Sequence, residues 1–271
     1  MRRKGAKLPT MNATLRSAPT TWAFSLSARE RMEQTEGRPL FRADWNRTVF
    51  LHYAVEPAAL QPFVPFPLDV RDGMAYVSLV AFTMERMRLA AWPGRVSEWL
   101  LRPLSPCRYL NARAYVTVDG EPGIYFLAEW LSRQIPIPLG PLIFGLPYRA
   151  GRLDYAHDPS AGRIAGRVTD GRGRRLEYEG AMDPAAIFRL STSGSLDEFL
   201  LERYTAFTLW RGRRRYFRIW HKPWAQTPVD FATADESLLS STGAWAAAAR
   251  HVGGCYSPRI ANVWMGRPQW L

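Results

Sequence analysis

Lysine is nearly absent from this chain. Of 36 basic residues only Lys4, Lys7 and Lys222 carry an amine, so chemistry built on a lysine nucleophile has little to draw on. Cysteine is scarce as well. Cys107 and Cys255 stand 148 positions apart and form neither a disulfide framework nor a C-x-x-C metal pair, which makes a reducing, cytoplasmic setting the expectation. The four histidines, His52, His157, His221 and His251, never fall at the i, i+2 or i, i+4 spacings that put two ligands on one face, so no metal is expected. No apolar run reaches the roughly 18–20 residues needed to cross a bilayer, so no membrane span is expected either. There is no G-x-S-x-G elbow and no Walker lysine loop, and Gly171-Arg-Gly173 stands in a turn, so no nucleotide cofactor is expected and the cofactor expectation is none.

What is present is a chain of 271 residues, 47% hydrophobic, with 11 Trp, 11 Tyr and 13 Phe, which is the composition of a folded globular protein with a real core. The net charge of +12 is uneven. Residues 1–31 carry seven basic side chains against Glu30 alone, half of the total. This stretch lacks hydrophobic periodicity, and Trp22-Ala-Phe-Ser-Leu is too short for a signal-peptide core. Residues 1–40 therefore read as a leader, disordered or the product of an over-extended start, with Met11 and Met32 as alternative starts and a targeting peptide as the competing reading. Residues 41–271 read as one domain.

From Arg47 on, short β-type runs alternate with Gly, Pro, Asp and Asn. Strands are expected at 48–55, 74–84, 109–118, 124–131, 148–155, 162–169, 174–181 and 214–221. The run 74–84 is almost continuously apolar, as in a strand covered on both faces. Glu56-Pro-Ala-Ala-Leu60 reads as a short helix opened by Pro57. Ser195-Leu-Asp-Glu198 is a capping box ahead of Leu196, Phe199, Leu200, Tyr204 and Phe207, and predicts an amphipathic helix. A second helix is expected over 235–250. The sum is a mainly β single domain with two main helices.

Reading Asp119-Gly-Glu-Pro-Gly123 as a five-residue hairpin loop pairs Val118 with Ile124 and sets Arg113 opposite Glu129. Tyr109, Asn111, Tyr115 and Thr117 share that face, which is either solvated or lines a polar cavity; the aromatics favour a cavity. The basic run 211–218 fits phosphate contacts, but alternation sends Arg215, Phe217, Ile219 and His221 to one face and leaves other arginines for solvent, so no specific nucleic acid is expected. His221 shares an apolar face and reads first as a core histidine.

Several segments occur together in order: Phe50-Leu-His-Tyr, Gly73-Met-Ala-Tyr-Val-Ser-Leu-Val-Ala-Phe, Asn111-Ala-Arg-Ala-Tyr-Val, Pro122-Gly-Ile-Tyr-Phe, Phe144-Gly-Leu-Pro-Tyr-Arg, Phe199-Leu-Leu-Glu-Arg-Tyr and His221-Lys-Pro-Trp. Over about residues 42–268 the chain resembles the YqjF-like family, domain of unknown function 2071, in the acetoacetate decarboxylase-like superfamily. The resemblance implies a closed, cone-like antiparallel β-barrel with a central cavity and names no reaction. In acetoacetate decarboxylases the nucleophilic lysine follows a Gly-aromatic-Pro segment and precedes a second lysine. Here Gly145-Leu-Pro-Tyr148-Arg149 puts tyrosine and arginine at those places, and neither forms an imine.

Three functions remain open. The first is an enzyme acting on a small organic acid or carbonyl compound without Schiff-base chemistry. Its acid or base candidates are Glu129, Tyr148 and His221, and its anion-binding candidates are Arg113, Arg149 and Tyr115. The second is a non-catalytic small-molecule-binding barrel, and the third a basic nucleic-acid or membrane-surface binder. The oligomeric state is not legible.

Overall fold

The computed structural model describes residues 26–271. Strand β1 (Pro39–Val55) pairs antiparallel with β2 (Ala75–Leu89), β2 with β3 (Cys107–Val118), and β3 with β4 (Glu121–Leu131). Beside β4, in parallel, lies β8 (Thr205–Trp210), through Ile124 opposite Ala206 and Tyr125 opposite Phe207. A hairpin joins β8 to β9 (Arg213–Trp220), and β9 meets β12 (Arg250–Gly266) at Trp220 opposite Trp264. Pairing of β12 along β1 closes the ring. The seven strands form a barrel, mostly antiparallel.

At its end β4 also pairs in parallel with β5 (Tyr148–Asp158), which leads into a second sheet with β6 (Arg163–Asp170), β7 (Arg175–Ala181) and β11 (Phe231–Asp235). Two short strands, β10 (Thr227–Pro228) and β13 (Gln269–Trp270), edge β12 and β9.

Strand alternation divides the apolar residues into two cores. Phe50, Val80, Phe82, Tyr109, Phe126, Leu131, Phe217 and Trp224 fill the barrel interior. Leu51, Val77, Leu79, Leu110, Ala112 and Trp130 pack instead against Leu153, Ile164, Val168 and Leu176 of the second sheet. Both faces of β2 are covered, which is why its sequence is apolar without alternation.

Short helices close the ends: α1 (Leu26–Gln34), α2 (Pro57–Leu60), α3 (Gly94–Leu100), α4 (Pro136–Ile143) and α5 (Leu196–Leu201). The expected capping box is present, Ser195 Oγ accepting from the Glu198 amide at 3.1 Å, but the Glu198 carboxylate reaches Gly194 N rather than Ser195 N. The helix ends at Leu201, earlier than its apolar pattern suggests, because Tyr204–Phe207 leads into β8 and gains a partner strand. The helix expected over 235–250 is replaced by two 3-10 turns, 239–242 and 244–248, broken at Gly243 with φ 145°.

Of the expected leader, residues 26–40 are described and belong to the fold. The first 25 residues lie outside the described residues, but α1 packs, with Ala28 fully buried, Thr35 O accepting from Trp220 Nε1 at 2.7 Å, and β1 already begun at Pro39.

The β3–β4 register also differs from expectation. Asp119 and Gly120 both take positive φ, 51° and 80°, so the loop is a two-residue turn of the primed kind and Val118 pairs with Glu121. A bulge between Ala112 and Arg113 then restores the inward face of Glu129. Arg113 faces Phe126, and Glu129 faces Asn111.

Candidate functional site

Inward residues stack in rows across the barrel. In one row His52 of β1 pairs with Ser78 of β2, Ser78 with Arg113 of β3, and Arg113 with Phe126 of β4. In the next, Phe50, Val80, Asn111 and Glu129 are successive neighbours, and Glu129 meets Tyr148 of β5. The tertiary fold thus brings Arg113, Tyr115, Glu129 and Tyr148 to one interior.

Arg113 is 6% exposed, and among the described residues it forms no ion pair. Its Nη2 donates to Leu200 O at 2.7 Å, its guanidinium lies 5.5 Å from the Phe50 ring centre and 5.6 Å from that of Tyr115, and its Nε has no partner. The other inward arginine at this end, Arg203, is paired with Asp69 at 2.6 Å.

Glu129 is equally buried, with Oε1 unpartnered, and burial pushes its carboxyl well above the usual range. Burial thus favours the neutral acid, the form that can donate a proton. Beside it the Asn111 Oδ1 is unpartnered too. Tyr148 meets Tyr109 edge-on at 6.1 Å, and burial raises both phenols, with the neighbouring Glu129 adding to the effect.

A hydrogen-bonded chain crosses the first row. Tyr115 donates to Leu200 O at 2.8 Å, so its oxygen must accept from Ser78 Oγ at 2.5 Å. The Ser78 proton is then committed, and Ser78 must accept from His52 Nδ1 at 2.7 Å. His52 is therefore the Nδ1–H tautomer with a lone pair on Nε2. Burial first, then the charge of Arg113, lowers its pKa to about 3, which keeps the ring neutral. His52 opens on a pocket of about 170 Å³ lined also by Asp197, Leu200, Gln226 and Cys255.

The remaining candidates lie elsewhere. Arg149 points out of the barrel, its Nη1 donating to Ser241 O and Oγ at 3.2 Å and its guanidinium over Trp130 at 5.6 Å. His221 is inward but occupied: Nδ1 donates to Lys222 O at 2.8 Å, Tyr204 and Trp224 pack on the ring, and burial lowers its pKa to about 4. A larger groove of about 590 Å³ lies on the second sheet among Arg152, Asp154, Arg167 and Asp170. There Arg152 holds Asp154 at 2.9 Å and Arg174 holds Asp170 at 2.6 Å, so its charges are already met.

His52, Ser78, Asp197 and Gln226 were not singled out from the sequence as site residues. Alternation along Phe50-Leu-His-Tyr signals His52, since Phe50 and His52 share a face. Asp197 and Gln226 carry no local signal, because a loop and a short helix bring them together.

Among the described residues no group of three His, Cys, Asp or Glu side chains is placed to hold a metal, and no helix is long and apolar enough to cross a membrane. Lys222 is the one lysine among the described residues, and it is exposed.

A model of the DUF2071 family, described as an uncharacterized conserved protein, matches residues 42–261. Over 192 residues the chain is 28% identical to the uncharacterized protein YqjF of Bacillus subtilis (strain 168), covering 70% of this chain and 76% of that protein. Acetoacetate decarboxylase from Legionella pneumophila is similar in structure, with a TM-score of 0.60 at 14% identity over 86% of this chain and 88% of the other. An acetoacetate decarboxylase-like enzyme from Sphingomonas wittichii RW1 gives 0.58 at 14% identity over 94% and 100%. The enduracididine biosynthesis enzyme MppR, complexed with pyruvate, gives 0.58 at 16% identity over 94% and 98%. The ring of strands and these likenesses agree on the fold, and the chain belongs to the DUF2071 family, with the fold of acetoacetate decarboxylase-like enzymes.

Proposed function

We propose that the barrel interior binds a small organic acid or carbonyl compound, with Arg113 holding the carboxylate and Glu129 supplying a proton to a carbonyl or hydroxyl oxygen. The observation that carries this reading is Arg113 itself, a buried guanidinium with an unpartnered Nε and, among the described residues, no ion-paired carboxylate. A buried charge left unpaired costs several kcal/mol, of order 3–5 kcal/mol where a partner has been removed. An anionic ligand offsets that cost, and the unpartnered Asn111 and Glu129 oxygens give it polar contacts one row away. The pyruvate complex of MppR supports the same ligand class on this fold.

The chemistry proceeds without a Schiff base. The phenol of Tyr148 stands at the inward position of the Gly145–Arg149 segment, and Lys222 is exposed. Tyr148, next to Glu129 on the neighbouring strand, is a hydrogen-bond partner for the ligand oxygen rather than a nucleophile.

Calorimetric titration with pyruvate, acetoacetate and plain carboxylates tests the binding, and NMR of the bound compound over time tests turnover. Binding that is lost in Arg113→Met is expected; wild-type affinity in that variant overturns the reading. Borohydride reduction with acetoacetate or pyruvate, followed by intact-mass measurement, is expected to give no adduct. An adduct on Lys222 would establish the imine route.

A further inference from the structure

Among the side chains lining the pocket beside His52, acceptors outnumber donors. Gln226 is 6% exposed, and its Nε2 donates to Asp197 Oδ2 at 3.4 Å, which identifies the other amide atom as oxygen. That Oε1 is buried without a partner. The hydrogen-bond chain through Ser78 and Tyr115 leaves the His52 Nε2 lone pair as a second acceptor, with no hydrogen-bond partner among the described residues. Asp197 adds a carboxylate at the exposed mouth, and the Cys255 thiol is a weak donor held protonated by burial.

Three residues lining this pocket, Asp197, Gln226 and His52, carry acceptors, one of them anionic, a set that matches the three N–H groups of an ammonium, whereas a hydroxyl would satisfy only one of them. The site is also polarised. Leu200 lines this pocket, and its carbonyl oxygen holds Arg113. Asp197 precedes Leu200 by about one helical turn, roughly 5 Å along α5, so a negative and a positive group flank the same residue.

We infer that this pocket is an ammonium subsite and that the ligand is a small zwitterion, an amino acid whose amine enters between Asp197, Gln226 and His52 while its carboxylate meets Arg113. This deepens the reading of Arg113 as the carboxylate anchor and rests on it. The pocket volume of about 170 Å³ restricts the amine end to a few heavy atoms.

The test is calorimetric titration of the full chain at pH 7.5 with glycine, β-alanine and γ-aminobutyrate, each against its deaminated counterpart acetate, propionate or butyrate. At least one amino acid is expected to bind tenfold or more tighter than its counterpart. In Asp197→Asn, a change at an exposed position, the ratio of the two affinities is expected to fall to within about twofold of unity. If the plain carboxylates bind and no amino acid exceeds them, the ammonium subsite is overturned while the carboxylate anchor stands. If neither series binds, both readings fall together. An unchanged ratio in Asp197→Asn also overturns the subsite.

Discussion

Arg113 Nη2 and the carbonyl oxygen of Leu200 are 2.7 Å apart, a contact between the middle of β3 and the last turn of α5 that ties a buried, unpaired inward guanidinium to the helix closing the barrel. Tyr115 donates to the same oxygen at 2.8 Å, so the carbonyl keeps a partner if Arg113 is removed.

That double donation sets the first prediction. Arg113→Met removes a buried charge that has no counter-ion, replaces it with apolar volume, and leaves Leu200 O satisfied. Thermal stability is expected to stay within about 1 kcal/mol of wild type or to rise, while carboxylate affinity falls at least tenfold, about 1.4 kcal/mol. A large loss of stability in calorimetry would show that the guanidinium is a structural element instead of an anchor.

Ser78 links two rings. With Ser78→Ala, His52 Nδ1–H loses its acceptor and the Tyr115 oxygen its donor, in a place of no exposure, for a cost of about 1–3 kcal/mol in urea unfolding. In wild type, nitrogen-15 NMR of the ring is expected to show His52 neutral and protonated on Nδ1 from pH 5 to 8, since its pKa lies at about 3. An Nε2–H tautomer would contradict the direction of the chain.

Glu202 gives a pH dependence of unusual sign. Its carboxylate accepts from Tyr204 OH at 2.6 Å and Trp224 N at 2.8 Å, yet burial raises its pKa from 4.5 to about 7. The folded state therefore holds this proton more tightly than the unfolded chain does. Its contribution is fully present below about pH 4.5 and is lost as pH rises toward 7, a change of about 3 kcal/mol. Glu202→Gln removes the titration, so its stability relative to wild type is expected to climb between pH 5 and 8. A difference that is flat in pH would remove Glu202 from the account.

Gly140 in α4 is a close approach. A Cβ there would lie 2.2 Å from the Tyr148 ring, so Gly140→Ala must displace that phenol from its place beside Glu129. Overpacking of this kind costs about 1–3 kcal/mol. The variant is expected to lose both thermal stability and carboxylate affinity; unchanged values for both would mean that Tyr148 can move freely.

Much of the barrel was legible from local pattern. The apolar run of β2, the alternation along β3 and β9, and Pro57 at the start of α2 each carry a local signal, because burial on one or both faces of a strand writes itself into a period of two. Arg113, Tyr115 and Glu129 were legible as sharing one face for the same reason, whereas Tyr148 was marked only by the likeness of the Gly145–Arg149 segment to the decarboxylase motif. Less legible was β12, where no strand was expected: Gly253, Gly254 and Pro258 interrupt its pattern, and its partner β1 lies about 200 residues earlier in the chain. Tyr204 to Phe207 fits a helical face as well as a strand, and only pairing with β4 and β9 chooses between them.

The sequence by itself determined a mainly β domain, the near absence of amine nucleophiles, and which side chains of each strand share a face. Tertiary structure alone decided who meets whom. One turn of two residues and one bulge moved Arg113 from Glu129 to Phe126, leaving the guanidinium without its expected partner. The physical reason is that strand alternation fixes a face from neighbours in sequence, whereas register and ring closure depend on contacts between residues far apart, and a shift of one residue changes every partner.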